Sequence, residues 1–462
     1  MTRRAAVVSI GDELVLGQAL DTNARWISAR LTDAGWLVAE HLTLADDLPQ
    51  IASALRRLAA SGFELAVVTG GLGPTPDDLT RAALADATGS QLVEDAGALE
   101  FLEGIEKRRG RELTPERRLQ ALRPAAARIV HNPVGTAPGL AAAVPAPAPD
   151  GREPARLAVF CLPGPPREMH PMFDDAVGSF LAAARDADRR AGREPRAVAT
   201  RTLRCIGVPE ADAAAALGDL LARGSNPEVG TTASDGVVSV RIRATGSAEE
   251  SARLADEAAA AARERLGDAV FGQGDDTIAG VVLAMLRERG DRLVVAESCT
   301  AGLLAAMVAD VPGSSDALLG GWIAYANEMK SAELAVEPGV IGASGAVSEP
   351  VAFAMARGAL ERAPATGHSG ATHALSITGV AGPGHGEKPP GTVWIGRASS
   401  AADGGPADAE ARLFRIAGDR SDVRTRSATT ALTMLLDHLR GVRRELTWEI
   451  GTSEKQEAKS EQ

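Results

Sequence analysis

Leu293-Val294-Val295-Ala296-Glu297-Ser298-Cys299-Thr300-Ala301-Gly302 is a short apolar run that stops at Glu297 and gives way at once to a helical pattern of small residues, Ala301 to Val308. A buried strand followed directly by a helix predicts an α/β fold. Ser298 then lies on a tight strand-to-helix turn, with the amides of Cys299 and Thr300 in the first helical turn. Amides there have no internal partner, and that end of a helix favours negative charge. A hydroxyl beside them could attack an acyl carbon while they hold the developing oxyanion. The plainer reading makes Ser298 an N-cap, and on this stretch alone the cap is the commoner arrangement.

Downstream, Gly320-Gly321 leads into Trp322-Ile323-Ala324-Tyr325-Ala326-Asn327-Glu328-Met329-Lys330. Tyr325 is the only tyrosine, and Lys330 is one of the few lysines (Lys107, Lys330, Lys388, Lys455, Lys459) in a chain that otherwise uses arginine. A lysine buried beside a serine loses its proton readily, because desolvation disfavours the ammonium, and it can then act as general base. Ser–Lys pairs are a known variant of the nucleophile–base arrangement. From spacing alone, a surface Lys330 and a half-buried Tyr325 remain the plainer alternative.

The 462 residues predict two to three domains. A composition of 45% hydrophobic and 24% charged residues is globular. The net charge of -12 and a pI near 5.3 argue against a general nucleic-acid surface but not against a local anion site. Cys161, Cys205 and Cys299 are too far apart in sequence to form a metal-type pair, and they fit a reducing cytoplasm better than a disulfide scaffold. No apolar stretch suits a signal sequence or a bilayer span. The expectation is a cytoplasmic protein without membrane or nucleic-acid partners, and by base rate a symmetric homodimer.

Strands and helices alternate through the first third: strand Ala5–Ile10, helix Asn23–Ala34, strand Trp36–Leu44, helix Leu48–Ala60, strand Leu65–Thr69, helix Arg81–Thr88. This predicts a mostly parallel sheet covered on both faces, which takes ligands at the carboxyl ends of its strands. Three polar turns fall there: Gly11-Asp12-Glu13, Asp46-Asp47, and Gly70-Gly71-Leu72-Gly73-Pro74-Thr75-Pro76-Asp77-Asp78-Leu79-Thr80. The glycine turn could present amides to a phosphate, and Asp47, Asp77 and Asp78 could hold a metal or a ribose. A Gly-Pro turn with Asp N-caps is the plainer alternative.

Gly11-Asp12-Glu13 together with Gly70 to Thr80 resembles the molybdopterin-binding domain of the MoaB/MogA type, in the Gly-Leu-Gly-Pro-Thr-x-Asp-Asp form of the CinA family. Leu162-Pro163-Gly164-Pro165-Pro166-Arg167-Glu168-Met169 is similar to that family's Leu-Pro-Gly-x-Pro-x-Glu-Met segment. The resemblance implies a three-layer α/β domain over residues 1–175, with a site comprising Asp12, Asp47, Gly71, Gly73, Thr75, Asp77 and Asp78. It implies hydrolysis of ADP-ribose at the pyrophosphate, with a divalent metal or potassium and Asp47, Asp77 and Asp78 as the metal or phosphate candidates. Molybdopterin binding or adenylyl transfer is the competing assignment by fold analogy. The Pro-rich stretch Pro145 to Pro154 reads as a loop between strands Gly139–Val144 and Arg156–Cys161.

Residues 176–270 read as a small α+β connector module: strand Ala197–Ile206, helix Pro209–Arg223, a hairpin of Asn226–Ala233 with Val237–Thr245, and helix Ala248–Leu266. Arg201, Arg204, Arg241 and Arg243 read as outward-facing, with RNA binding weighed below the connector role. Residues 271–445 read as an α/β domain. In it Ser348 reads as an N-cap, strand Ala374–Thr378 ends in Gly379-Val380-Ala381-Gly382-Pro383-Gly384, and strand Ala411–Ile416 ends in Gly418-Asp419-Arg420. Thr378, Gly379 and the amides after them suit a phosphate or ribose. Arg420 either adds a bidentate phosphate contact or is a surface arginine at a helix start. His368, His373 and His385 read as loop or surface residues. Arg443–Gln462 reads as polar and disordered, with 446–462 as the tail.

Ala296-Glu297-Ser298-Cys299-Thr300, Gly321 to Lys330, Gly345-Ala346-Val347-Ser348-Glu349, Ile377 to Gly384, Lys388-Pro389-Pro390-Gly391-Thr392-Val393 and Gly418-Asp419-Arg420 resemble, in order and number, the CinA carboxy-terminal domain. The resemblance implies an amidohydrolase that converts nicotinamide mononucleotide to nicotinate mononucleotide and ammonia for NAD synthesis, with no cofactor for that step. It implies Ser298 as nucleophile, Lys330 as proton acceptor and later donor, and Tyr325 as orienting Lys330 or sharing its proton path. The Cys299 and Thr300 amides would form the oxyanion hole, and Thr378, Gly379 and Arg420 would hold the ribose and phosphate. Ala301 departs from the glycine that many members carry. Two alternatives stand beside this: Cys299 as the nucleophile, and a protein that binds nucleotides or molybdopterin without turnover.

Overall fold

The computed structural model describes residues 3–146, 156–192, 197–363, 370–383, 388–400 and 408–451. The chain forms two compact units, 1–199 with 244–253 and 200–243 with 254–462. No helix among the described residues is long and apolar enough to cross a membrane.

The first unit is built on β1 (Arg4–Ile10), β2 (Leu37–Leu44), β3 (Leu65–Thr69), β4 (Leu92–Glu94), β5 (Leu122–Pro124), β6 (Arg128–Val130), β7 (Gly139–Pro145) and β8 (Arg156–Leu162). Six of them form one sheet in the order β2-β1-β3-β8-β7-β6, while β4 and β5 pair separately. Strands β2, β1, β3 and β8 are parallel, and β7 and β6 run antiparallel to their neighbours. Alternate β1 residues go to opposite cores. Ala6, Val8 and Ile10 meet Leu55 and Leu58, whereas Ala5 and Val7 meet Ile27 and Leu31. Burial on both faces explains the near-continuous apolar runs and makes this a three-layer domain. From β1 the chain crosses to β2 on one side and later to β3 on the other. The strand order therefore reverses at the carboxyl ends of β1 and β3, where open α/β sheets bind ligands. Gly70 makes that junction sterically feasible: φ is +98°, and a Cβ would stand 2.2 Å from the Ile10 carbonyl oxygen.

The second unit contains β9 (Ala197–Ile206), β10 (Glu228–Ser234), β11 (Val237–Gly246) and β12 (Val270–Gln273) in a sheet ordered β10-β11-β9-β12. Three of the four arginines named above are engaged: Arg201 pairs with Asp256, Arg243 with Glu228, and Arg204 donates to Ser239. The larger sheet comprises β13 (Leu293–Glu297), β14 (Leu318–Ile323), β15 (His373–Gly379), β16 (Thr392–Ser399) and β17 (Asp408–Arg415), ordered β14-β13-β15-β16-β17. Helices Ile278–Arg289, Leu303–Ala309 and Arg420–Arg440 cover one face, and Glu349–Arg362 covers the other. Strands β14, β13 and β15 are parallel, and the order again reverses, here at the carboxyl ends of β13 and β15.

Two expectations fail in this unit. The tail is ordered as far as residue 451. Arg415 donates its amide to the Trp448 carbonyl (2.8 Å), Ile450 to that of Leu413 (2.9 Å), and Glu449 pairs with buried Arg412. Leu446 and Trp448 supply the apolar contacts that a polar composition hides. His373 is likewise buried, at the start of β15, while His368 and His385 lie outside the described residues. The Ser399 hydroxyl meets His373 Nδ1 at 2.8 Å and His438 Nε2 at 3.1 Å, and receives Arg397 Nη1 at 3.0 Å. One hydroxyl has a single proton and two lone pairs. The set closes only if one imidazole donates and the other accepts, so the accepting ring must be neutral. Burial pushes both histidines below their ordinary value. Arg397 adds to this at both, although Asp291 pulls His373 the other way. Between those depressed values and the unfolded value near 6.5 the unfolded chain binds more protons, so stability should fall as pH drops through that window. Melting temperatures compared at about pH 7.5 and about pH 5.5 should fall further for the native chain than for His438→Gln; equal shifts would refute the assignment.

Candidate active site

The amino-terminal switch point gathers fewer groups than the sequence suggests. Asp12 and Asp46 each accept the other's backbone amide, both at 3.1 Å. Burial pushes the Asp46 carboxyl up, and the charges of Asp12, Asp77 and Glu13 add to the effect, so these acids face one another. The Thr75 hydroxyl holds exposed Asp77 below its ordinary value. Asp47 and Asp78 are engaged by their own local backbone. Asp47 caps the helix Leu48–Ala60 by accepting the Gln50 amide at 2.8 Å. Asp78 accepts the amides of Gly73 (2.6 Å) and Thr75 (2.8 Å) and so folds the glycine turn on itself. Buried Arg81 holds the carbonyls of Leu72 and Gly73. The amides of Gly73 and Thr75 are therefore unavailable to a phosphate. Asp47, Asp77 and Asp78 do not converge, and no group of three metal-ligating side chains does so among the described residues. The set does not fit a metal ion. Asp46, next to the residue the sequence singled out, is the acid that joins Asp12 and Asp77. Nearby, Asn23 donates to the Gly164 carbonyl (2.7 Å), while Asn23 Oδ1 and the Ser9 hydroxyl are buried without partners among the described residues. Gly71 begins the turn at φ +64°, where Thr80 closes it.

At the second switch point the helix does not begin where the pattern places it. It spans Leu303–Ala309, because Ala301 (φ +50°) and Gly302 (φ +92°) are both left-handed and delay it. Its amides are not free. The buried Glu297 carboxylate accepts those of Gly302 (2.9 Å), Leu304 (3.1 Å) and Ala305 (2.8 Å). Ser298 caps nothing, so the N-cap reading falls. Its backbone amide donates to Ile377 O on β15 (2.9 Å), and among the described residues its hydroxyl has no hydrogen bond. The amides of Cys299 and Thr300 likewise meet no backbone or side-chain oxygen among the described residues. An oxyanion site in this turn is thus made by the turn itself and not by the helix. A left-handed alanine costs roughly 1 kcal/mol that glycine avoids. Ala301→Gly should accordingly raise stability by about that amount in urea unfolding, and a loss would contradict the geometry.

Lys330 rides on the helix Asn327–Leu334, just past β14, whose end is tied to β13 by the Ala324 amide donating to Glu297 O at 2.8 Å. It is 1% exposed, and its Nζ donates to the Tyr325 carbonyl at 3.1 Å. Burial lowers its pKa, while interactions with Cys299 and Glu328 oppose that. The surface reading of Lys330 is thereby excluded. Tyr325 is exposed, and its hydroxyl meets Arg420 Nη2 at 3.0 Å. The tyrosine thus holds Lys330 by its backbone, and its ring faces Arg420. Burial pushes the Cys299 thiol up to about 11.

Arg420 opens the helix Arg420–Arg440 behind the Asp419 cap, next to Gly382 of the turn that follows β15. One turn on, Arg424 donates to the Thr300 carbonyl at 2.8 Å; nothing in the sequence marked it apart from its spacing from Arg420. Neither arginine has an acidic partner among the described residues, whereas Arg397, Arg412 and Arg443 of the same domain do. Thr378 is buried with its hydroxyl donated to Ala346 O (2.8 Å), and Gly379 ends β15 beside it. That hydroxyl can accept from a ligand but has no proton left to give. Ser348 occupies an N-cap position, but its hydroxyl donates to Gly345 O instead.

Comparison with known proteins finds three family profiles along the chain. Residues 6–183 match the profile described as "Probable molybdopterin binding domain", 200–272 the "Damage-inducible protein CinA KH domain", and 275–439 the "CinA C-terminal domain". The middle module, read from sequence only as a connector, is thus similar to a KH domain. A chain from Symbiobacterium thermophilum named as a competence-damage inducible protein is 41% identical over 95% of this chain and 99% of its own length. A CinA-like protein from Geobacter sulfurreducens is 40% identical over 94% and 98%. A crystal structure of CinA from Thermoplasma acidophilum, described as of unknown function, is 36% identical, covers 39% of this chain and 98% of its own, and has a TM-score of 0.33.

Proposed function

The chain belongs to the CinA family, and we propose that its carboxy-terminal domain deamidates nicotinamide mononucleotide by a Ser–Lys mechanism. The observation that carries this reading is the Ser298 turn: among the described residues a hydroxyl without a hydrogen bond and two amides that meet no oxygen, with a buried lysine of lowered pKa on the helix that follows the neighbouring strand β14. Neutral Lys330 takes the Ser298 proton as the oxygen attacks the carboxamide carbon. The amides of Cys299 and Thr300 hold the oxyanion. Collapse breaks the C–N bond, and the Lys330 ammonium protonates the leaving ammonia. The acyl ester on Ser298 is then hydrolysed by water activated by Lys330, giving nicotinate mononucleotide. Arg420 and Arg424 supply unpaired positive charge for the phosphate. The step needs no cofactor. Ammonia release from nicotinamide mononucleotide by the purified protein tests the reading, and binding without release would leave a nucleotide-binding protein in its place.

For the amino-terminal domain we propose a nucleotide site at the ends of β1 and β3, with ADP-ribose as the substrate to assay first. The supporting observation is the cluster of Asp12, Asp46 and Asp77 beside the unpartnered Asn23 Oδ1 and Ser9 hydroxyl. A cytoplasmic, homodimeric enzyme of pyridine nucleotide recycling is the setting these proposals suit.

A further inference from the structure

We infer that Glu297 is a positioning residue for Ser298: an internal carboxylate that takes over the amides of the following helix and thereby holds the nucleophile's turn in its reactive shape. The inference rests on the Ser–Lys reading of this site, in which no role falls to Glu297.

Three features carry it. First, Glu297 is 1% exposed, and a buried carboxylate is costly unless its oxygens are hydrogen-bonded. Here Oε2 accepts Gly302 and Leu304 and Oε1 accepts Ala305, so the cost is offset by charge-assisted bonds. Second, these bonds close a ring over residues 297–305 with Ser298 inside it. The backbone of Glu297 is fixed to Ala324, that of Ser298 to Ile377, and the Ala301 amide returns to Ser298 O at 3.1 Å. Third, the segment so closed contains the two left-handed residues, Ala301 and Gly302. Without the carboxylate, the strained Ala301 and Gly302 would lose the bonds that close the segment around them, and the turn that carries Ser298 would relax. The same charge also opposes ionisation of Cys299, so it favours Ser298 over its neighbour. With the helix amides taken, a substrate phosphate has to go to Arg420 and Arg424.

Glu297→Gln keeps the shape but turns an NH2 group toward an amide donor, and Glu297→Asp keeps the charge but shortens the reach. The full-length chain and both variants are compared in three ways: ammonia release, the rate at which diisopropyl fluorophosphate labels Ser298, and the affinity for nicotinate mononucleotide. Misplacing a reacting group by about 1 Å costs on the order of 10²-fold. Turnover and labelling should therefore each fall by about 10- to 100-fold in Glu297→Gln, with affinity changed by less than about threefold. A cooperatively melting Glu297→Gln chain that labels within about twofold of the native chain would overturn the inference. Should the native chain release no ammonia, the deamidase reading fails by itself, and the labelling rates still decide the role of Glu297. If neither variant folds, hydrogen exchange on the native chain decides: protected amides at Gly302, Leu304 and Ala305 support the clamp, and open-chain rates there refute it.

Discussion

Ser298→Ala should lower ammonia release from nicotinamide mononucleotide by at least about 10³-fold, while Cys299→Ala stays within about threefold of the native chain. The asymmetry follows from the turn. Adjacent side chains point differently, and among the described residues the Ser298 hydroxyl has no hydrogen bond and the amides of Cys299 and Thr300 meet no oxygen. Cys299 is 5% exposed, and burial pushes its thiol up to about 11, so thiolate is scarce at neutral pH. Removing Ser298 eliminates the covalent route but leaves the oxyanion amides and the arginines, so nucleotide binding should survive. Steady-state kinetics of both variants, with nicotinate mononucleotide binding measured by calorimetry, checks this. The opposite pattern, loss in Cys299→Ala alone, would move the nucleophile by one residue.

Lys330→Met should cost about 10²- to 10⁴-fold in kcat/KM, the usual range for a general base. Stability should not fall with it. An ammonium held in a buried site is disfavoured, and methionine fills similar space without a charge. A melting temperature equal to or above the native value, together with lost turnover, would separate a catalytic role from a structural one. Lys330→Arg should not rescue activity, since a guanidinium keeps its proton. The pH profile carries the sign. The base works only when neutral, so kcat/KM should rise with pH through the depressed Lys330 pKa, below the ordinary lysine value near 10.4. An acidic limb unchanged in Lys330→Met would assign it to another group.

Much of this site is legible in the primary structure. Ser298, Lys330 and Arg420 stand at strand ends that the apolar runs locate, and the parallel order of β14, β13 and β15 brings those ends together. The amino-terminal cluster was legible in its turns and in Asp12 and Asp77, but not in Asp46. Asp46 and Asp47 are neighbours of the same type, and which one faces Asp12 depends on where the helix Leu48–Ala60 starts. Asp78 looks like a ligand holder and instead satisfies the amides of its own turn.

The sequence by itself determined the fold class, the order of the domains, the family and the two strand-end turns where chemistry could occur. These depend on local periodicity and on motifs read along the chain, so they need no knowledge of what lies across the sheet. The tertiary structure alone decided the partners. It gave the helix amides to Glu297 and freed Ser298. It set the Tyr325 hydroxyl against Arg420 and its carbonyl against Lys330, buried His373 against Ser399 and His438, and folded Leu446 and Trp448 back onto the domain. Each of those outcomes turns on which polar group a buried atom meets, and in a folded chain that group can come from a segment a hundred residues away.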